Sequence, residues 1–492
     1  MLGMLCLIRS LKNSFTPINR IPPEVLSLIP NYYGEDHKDG DLIALTHVCR
    51  GWRDTFTSRS SLWTRLDFKS VSKTRTYIRR SQSSPLEIYI GRGRIVDEAF
   101  LLITPHIFRL KSLTIDADSL PIVLEHFRCH APLLEKLDIS FYDGPNPVLG
   151  GTLFGDLSLL REFSLDGIIA DFPWKNMANL RVVKISSCPR IHGTTELLHF
   201  LESALLLHTV TLMYKMPDSS DAPPGRVVHL SHLKAFTLGW DYLPYSVLLR
   251  HLHIPVRASL VLEYMCYRPY SLPRDLKRSP NFDNLSHITA INVLFTWDQK
   301  GIQLSGPSGS LRATFDSIGS GPSAYVEIHQ ILRSLDHPML STIQRLVISG
   351  YQSVRSAGIG ECRIFKTLSS TNNLRTLILV DCRPRRFVRA LDPRRNPSNF
   401  VVCPNMRELV LHVSSMGQLG EKRIISMAKN RASRGVKFSS ITIVGLSGFL
   451  PEETLLKLRE HVAHVGYRVG HAPPAWDDVP NESGGESEWA WG

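Results

Sequence analysis

Along most of the chain, apolar residues recur at relative positions 0, +3 and +5, with polar residues between them. The first triplets are Leu110/Leu113/Ile115, Leu134/Leu137/Ile139, Leu160/Phe163/Leu165 and Leu180/Val183/Ile185. They continue as Leu207/Val210/Leu212, Leu233/Phe236/Leu238, Ile288/Ile291/Val293 and Ile343/Leu346/Ile348, then Leu374/Leu377/Leu379, Met406/Leu409/Leu411 and Phe438/Ile441/Ile443. The last two positions of each alternate as a half-buried strand does. One such triplet is weak in a chain that is 43% hydrophobic, so the spacing decides. Successive triplets start 24, 26, 20, 27 and 26 residues apart, then 55 and 55, then 31, 32 and 32. Each step of 55 reads as two repeats hiding a degenerate copy, near 259–263 and 310–315. Helical stretches fall between triplets at 121–130, 194–204, 245–252, 324–336, 421–434 and 452–465, with Gly435 and Gly466 as helix C-caps. A helix through Tyr77 and Ile78 and a strand over 86–90 begin the array. Strand plus helix at this period stacks into a solenoid, with parallel strands lining its concave face.

Residues 19–68 break that pattern and read as a small helical head. Pro22 and Pro23 suit a first helical turn, where a missing N–H costs nothing. Val25, Leu26 and Ile29 share one face of the helix that follows. Residues 30–40 read as a polar loop, and Asp39 or Asp41 is placed to cap a second helix. That helix carries Leu42, Leu45, Cys49, Trp52 and Phe56 at steps of 3, 4, 3 and 4, a continuous apolar stripe. About 50 residues bury only some 60% of their chain surface. Such a head must lean on the array or on a partner.

Two resemblances follow. Pro22-Pro23-Glu24-Val25-Leu26, Asp41-Leu42, Val48-Cys49-Arg50-Gly51-Trp52-Arg53 and Leu62-Trp63, in this order, resemble the F-box, most nearly that of the large F-box families of mushroom-forming fungi. Ile21 stands where the family usually has Leu, and the 30–40 loop is longer than usual. The resemblance implies a grip on the adaptor subunit of SCF-type cullin ubiquitin ligases. It implies contacts from Ile21, Pro22, Val25, Leu26, Ile29, Leu42, Leu45, Val48 and Trp52. The triplets resemble the leucine-rich repeat, and Cys188 and Cys382 stand where that signature expects Asn or Cys. The expected fold is therefore α/β: an all-α head and an irregular leucine-rich-repeat solenoid. The expected divisions are an extension over 1–18, the F-box over 19–68, the solenoid over 71–470 and an acidic, disordered tail over 471–492.

The residue between the second and third apolar positions points to the concave face. It is polar in the first seven copies, then Val347, Ile378 and Val410 in succession. Side by side, these three form an apolar stripe that reads as a docking surface for a target protein or as a strip covered within the chain. Arg383, Arg385, Arg386, Arg389, Arg394 and Arg395 fall in one expected loop. They read as a solvated face or as a receiver for an acidic or phosphorylated segment. The tail from Asp477 to Gly492 has five acids and no Lys or Arg.

Composition narrows the function. The net charge of +12 is modest over 492 residues and gives little ground for nucleic-acid binding. No apolar run approaches the ~18 residues that cross a bilayer, and charge follows the apolar start at Arg9 instead of preceding it. A location in the cytoplasm or nucleus, with no membrane contact, is expected. The eight cysteines lack any C-x-x-C pair, so no disulfide framework is expected. The chain has no Gly-Lys for a phosphate loop, and Gly306-Pro307-Ser308-Gly309-Ser310 lacks the last glycine of a nucleophile elbow. His229/His232, His251/His253 and His461/His464 have no third ligand nearby in sequence, so neither metal nor cofactor is expected. The sequence thus points to a non-enzymatic substrate-recognition subunit whose array holds an unknown target. The alternative is a non-ligase repeat scaffold capped by the head.

Overall fold

The computed structural model describes residues 4, 8, 11–13, 15–32, 38–91, 97–116, 130–141, 148–149, 157–170, 177–187, 193–213, 222–239, 246–264, 287–295, 299–307, 309–316, 341–349, 368–369, 371–380, 384–396, 400–413, 420–445 and 450–469. The tail, Arg383, Cys188, Cys382 and the helices expected at 121–129 and 324–336 lie outside them. The chain divides into two compact units, one over 1–191 with 203–207, the other over 192–202 with 208–492.

The first unit opens with helices α1 (Pro23–Leu26), α2 (Lys38–Thr46) and α3 (Arg50–Ser58). Strand β1 (Arg65–Leu66), helix α4 (Val71–Ser81), strand β2 (Leu86–Ile90) and helix α5 (Asp97–Ile103) follow. Then come β3 (Leu110–Asp116), β4 (Lys136–Ser140), β5 (Val148–Leu149), β6 (Glu162–Asp166), β7 (Ile169–Ala170) and β8 (Val182–Ser186). Strands β1, β2, β3, β4, β6 and β8 pair in chain order and all in parallel, while β5 and β7 pair with each other.

The second unit contains helix α6 (Thr194–Ser203) and strands β9 (Thr209–Met213), β10 (Val228–His229) and β11 (Ala235–Gly239). Helix α7 (Ser246–Leu249), β12 (Leu252–His253), β13 (Ser259–Tyr264), β14 (Ala290–Phe295), β15 (Gln299–Ser305) and β16 (Ser310–Asp316) come next. It closes with β17 (Arg345–Ser349), β18 (Thr376–Val380), helix α8 (Pro384–Leu391), β19 (Glu408–Val413), helix α9 (Glu421–Ala432), β20 (Ser440–Gly445), helix α10 (Glu452–Arg459) and β21 (His464–Val469).

Why each triplet becomes a strand is visible in its burial. Leu110, Leu113 and Ile115 are buried, as are their counterparts in the later copies. Fully burying one such side chain contributes about 1.5–3 kcal/mol, so a triplet anchors its repeat. A tight turn precedes eight of these eleven strands. The amides of Leu110, Leu134, Leu160, Leu180, Leu207, Leu233, Leu374 and Met406 donate to carbonyls three residues back. Those residues, Ile107, Ala131, Leu157, Met177, Ala204, Leu230, Thr371 and Cys403, are all buried. The repeat therefore begins three residues earlier than the triplet shows. Side-chain amides tie neighbouring turns: Asn179 Nδ2 donates to the Ser158 carbonyl at 2.7 Å, Asn373 to Ser341 at 2.7 Å and Asn405 to Asn372 at 3.1 Å.

Two buried arginines satisfy backbone oxygens where the chain turns sharply. Arg109 donates to the Ser81 hydroxyl and to the Gln82 and Ser84 carbonyls at the end of α4, where Gln82 has φ +50°. Arg431 on α9 donates to the Val402 and Cys403 carbonyls at 2.7 and 2.8 Å, and its guanidinium lies 4.8 Å from the Phe438 ring centroid. Burial lowers the Arg431 pKa to about 10 and pushes the Cys403 thiol up to about 11. Helix α9 ends in a Schellman closure, with Val436 N–H to the Arg431 carbonyl, Gly435 N–H to the Ala432 carbonyl and Gly435 at φ +76°. Gly435 thus holds the C-cap position expected of it.

The middle of the second unit departs from simple stacking. Both degenerate copies are strands, β13 and β16, but they pair directly with each other in parallel. Strand β15 runs antiparallel between β16 and β14, so the order is β9, β11, β13, β16, β15, β14, β17, β18, β19, β20, β21. A three-strand meander thus enters the sheet backwards, and the second step of 55 is this insertion. The Gly306 amide donates to the Gly309 carbonyl, closing the turn between β15 and β16. A Cβ on Gly306 would stand 2.1 Å from the His287 carbonyl oxygen, so only glycine fits that approach.

The last repeat also differs from expectation. Helix α10 stops at Arg459, and His464–Val469 pairs with β20. Gly466 lies inside that strand opposite Thr442, not at a helix C-cap. Asp39 and Asp41 likewise sit inside α2, not at its N-cap.

Replacing Arg431 with Met leaves two buried carbonyls without donors, each costing about 1–3 kcal/mol. Urea denaturation of the variant should show a loss within that range or somewhat above it. Because the Cys403 thiol is both buried and held above its ordinary pKa, iodoacetamide at pH 8 should leave it unmodified in the native chain and label it in denaturant, as read by peptide mass mapping.

Candidate functional site

The head is assembled around α3. Pro23 starts α1 without wasting an amide, and the Ser27 hydroxyl turns the chain by donating to the Glu24 carbonyl at 2.6 Å. Arg53 Nε donates to the Thr46 carbonyl at 3.1 Å, fastening the end of α2 to α3. Trp52 Nε1 donates to Asn19 Oδ1 at 2.7 Å, and Asn19 Nδ2 donates to the Asn13 carbonyl, so the turn over Pro17–Arg20 is held to α3 as well. Trp52 meets Phe56 edge-on at 5.7 Å between ring centroids.

The end of the head is built into the first sheet. Trp63 is fully buried, and its Nε1 donates to the Phe56 carbonyl at 2.8 Å, closing the end of α3. Its ring meets Tyr77 of α4 edge-on at 4.9 Å, with the Arg80 guanidinium 4.2 Å from its centroid. Phe68 stacks on Phe100 of α5 at 4.7 Å, and Lys73 pairs with the half-buried Asp67 at 2.7 Å. Arg65 and Leu66, inside the expected F-box bounds, already form the first strand of the array.

These packing facts divide the nine expected contact residues. Leu26, Leu42, Leu45 and Trp52 are 4%, 6%, 7% and 7% exposed and form the head's own core. Assigning them to a partner surface is corrected: helices of four and nine residues must bury their longest apolar stripe to exist at all. Val25 and Val48 are 51% and 54% exposed, Pro22 is exposed, and Ile21 and Ile29 are half-buried. Ile18, Leu28 and Ile43 are exposed too, and sequence reasoning missed all three. The signal for Ile43 was its place one step off the apolar stripe, where the head's core has no room for it.

The target-side residues also move. Val347, Ile378 and Val410 do stand abreast on β17, β18 and β19. Val347, however, is 6% exposed, and its neighbours Asn292, Ser349 and Val380 are buried beside it. Ile378 and Val410 are half-buried. The stripe is covered within the chain over β14 and β17, as strands apolar on both faces are. Arg385, Arg386 and Arg389 lie on helix α8, not in a loop, with Phe387, Val388 and Leu391 buried on its other side. Arg394 and Arg395 sit on the short turn after it.

Among the described residues, His229 and His253 stack at 4.8 Å across the β10–β12 pair. No group of three or more His, Cys, Asp or Glu able to hold a metal is found there. No described helix is long and apolar enough to cross a membrane.

The geometry of the head, three short helices closed by a tryptophan, defines a small helical module. Residues 18–69 match the F-box-like family, so this module is an F-box-like domain. No curated protein matches the chain.

Core and surface should separate on mutation. Leu26→Ala or Trp52→Ala should destabilise the head by about 2–5 kcal/mol and open it to hydrogen exchange and proteolysis. Val25→Ser and Val48→Ser should leave both measurements within about 0.5 kcal/mol of the parent.

Proposed function

We propose that this chain is the substrate-recognition subunit of an SCF-type cullin ubiquitin ligase. Its F-box-like domain binds the adaptor subunit, and its leucine-rich-repeat-like array holds a target protein for ubiquitination. The observation that carries the reading is the family match over residues 18–69, on a head that keeps Val25, Leu28, Ile43 and Val48 exposed after its own core is complete. Exposed apolar side chains on a small module with a filled core are what a protein partner uses. The likeness to the F-box families of mushroom-forming fungi supports the same role. The leucine-rich-repeat reading draws on the 0, +3, +5 triplets and the parallel strands they form.

In this role the chain does no bond chemistry. It raises the effective concentration of a target beside the transferring subunits. Its place of action is then the cytoplasm or nucleus.

A second reading has a specific observation in its favour. Strand β1 lies inside the matched segment and pairs with β2, and Trp63 packs on Tyr77, so the head also terminates the sheet. A repeat scaffold with a helical cap would need no more than that.

Co-purification with the adaptor subunit of the host's cullin ligase separates the two readings. The parent should form a 1:1 complex, and Val25→Glu/Val48→Glu should lose it with an unchanged melting temperature. Absence of a complex with the parent favours the cap. Loss accompanied by a fallen melting temperature would mean that these valines support the fold.

A further inference from the structure

In the second unit, the residues just before β14, β17, β18, β19 and β20 enclose a groove of about 900 Å3. Arg375, Arg407 and Lys437 line it together with Gln344, Asn373 and Asn405. The lining contains no Asp or Glu, and no Phe, Tyr or Trp.

The cations stand on a fixed framework. Arg375 N–H donates to the Gln344 carbonyl at 2.7 Å, and Arg407 N–H to the Arg375 carbonyl at 2.8 Å, so the positions climb one strand at a time. The side-chain amides of Asn373 and Asn405 lock the turns ahead of them. Neighbouring strands lie ~4.8 Å apart, which sets the two guanidinium stems at that interval.

The corresponding column of the first unit behaves differently. There Lys111 and Arg161 flank Glu135, at 3.9 and 3.7 Å, so a carboxylate offsets part of the charge within the column. In the groove no carboxylate fills the equivalent place. Among the described residues, the side chains of Arg375, Arg407 and Lys437 make no ion pair. Glu408, adjacent in sequence, is engaged by the Thr376 hydroxyl at 3.0 Å.

We propose that this groove binds an extended acidic peptide, with Arg375, Arg407 and Lys437 pairing its Asp or Glu carboxylates. The proposal rests on the target-holding role above and gives that role a site and a ligand class. Guanidinium forks match carboxylates bidentately, and the amides of Gln344, Asn373 and Asn405 suit a peptide backbone. Alternate side chains of an extended strand lie ~6.6–6.8 Å apart, within reach of two flexible arginine stems. Single-stranded nucleic acid is the weaker fit, because the lining offers no aromatic ring for a base to stack on. The earlier candidates, Arg385 and Arg386, lie on α8 and do not line this groove.

The test is fluorescence anisotropy on the full chain at low salt. Three labelled probes are used: a peptide of alternating Asp and Ser, the same peptide with Asn for Asp, and a single-stranded RNA of similar length. The parent is compared with Arg375→Gln/Arg407→Gln/Lys437→Gln and with Arg75→Gln/Arg79→Gln/Arg257→Gln, which loses equal charge at exposed positions elsewhere. The Asp peptide should bind the parent and the second triple variant alike, bind the first at least about tenfold more weakly, and weaken as salt is raised. The Asn peptide should not bind. Equal binding of the Asp peptide to all three chains, no binding to any, or equal binding of the Asn peptide overturns the proposal. RNA binding lost only in the first triple variant overturns it too, in favour of a nucleic-acid site. Adaptor co-purification of the same proteins keeps the two ideas apart. A retained complex with no peptide binding sinks the groove alone, while peptide binding without a complex sinks the ligase role alone.

Discussion

The indole of Trp63 joins three parts of the first unit. It closes the C-terminal end of α3 through the Phe56 carbonyl, it packs edge-on against Tyr77 of α4, and it precedes by two residues the first strand of the sheet. A head of this size has too little interior to stand alone, and a parallel sheet has an edge that must be ended. One buried aromatic answers both needs. The F-box-like domain is therefore continuous with the array: its last residues include strand β1 and Phe68, which stacks on Phe100 of α5.

Further along, the array is held by a repeating local device. A buried residue, a three-residue turn and an apolar triplet recur from copy to copy, and asparagine side chains tie several of the turns together. Where a turn exposes carbonyls inward, a buried arginine supplies donors, as Arg109 and Arg431 do. These arginines are structural despite their charge: their partners are backbone oxygens and, for Arg109, the Ser81 hydroxyl, and burial lowers the pKa of each.

Among the described residues, two surface features stand out. On the head, Val25, Leu28, Ile43 and Val48 remain outside a core already filled by Leu26, Leu42, Leu45 and Trp52. On the second unit, Arg375 and Arg407, each just before its strand, line one groove together with Lys437. The helix-borne Arg385, Arg386 and Arg389 have the ordinary arrangement of a polar face over an apolar one.

The sequence by itself determined what depends on short-range spacing. It located most strands of the sheet, including β2 and the two degenerate copies β13 and β16, as well as helices α6, α9 and α10 and the F-box-like head, because apolar periodicity is a local property of the chain. Tertiary structure alone decided the order of β13 to β17, since the meander's reversal depends on which edge the β15–β16 hairpin joins and periodicity carries no direction. It also made His464–Val469 a strand, because the open edge of β20 outweighed the helical reading of Gly466. And it decided which apolar residues stay exposed. Periodicity marks a face as apolar, but whether that face is covered depends on what else packs there, as Leu26, Trp52 and Val347 show.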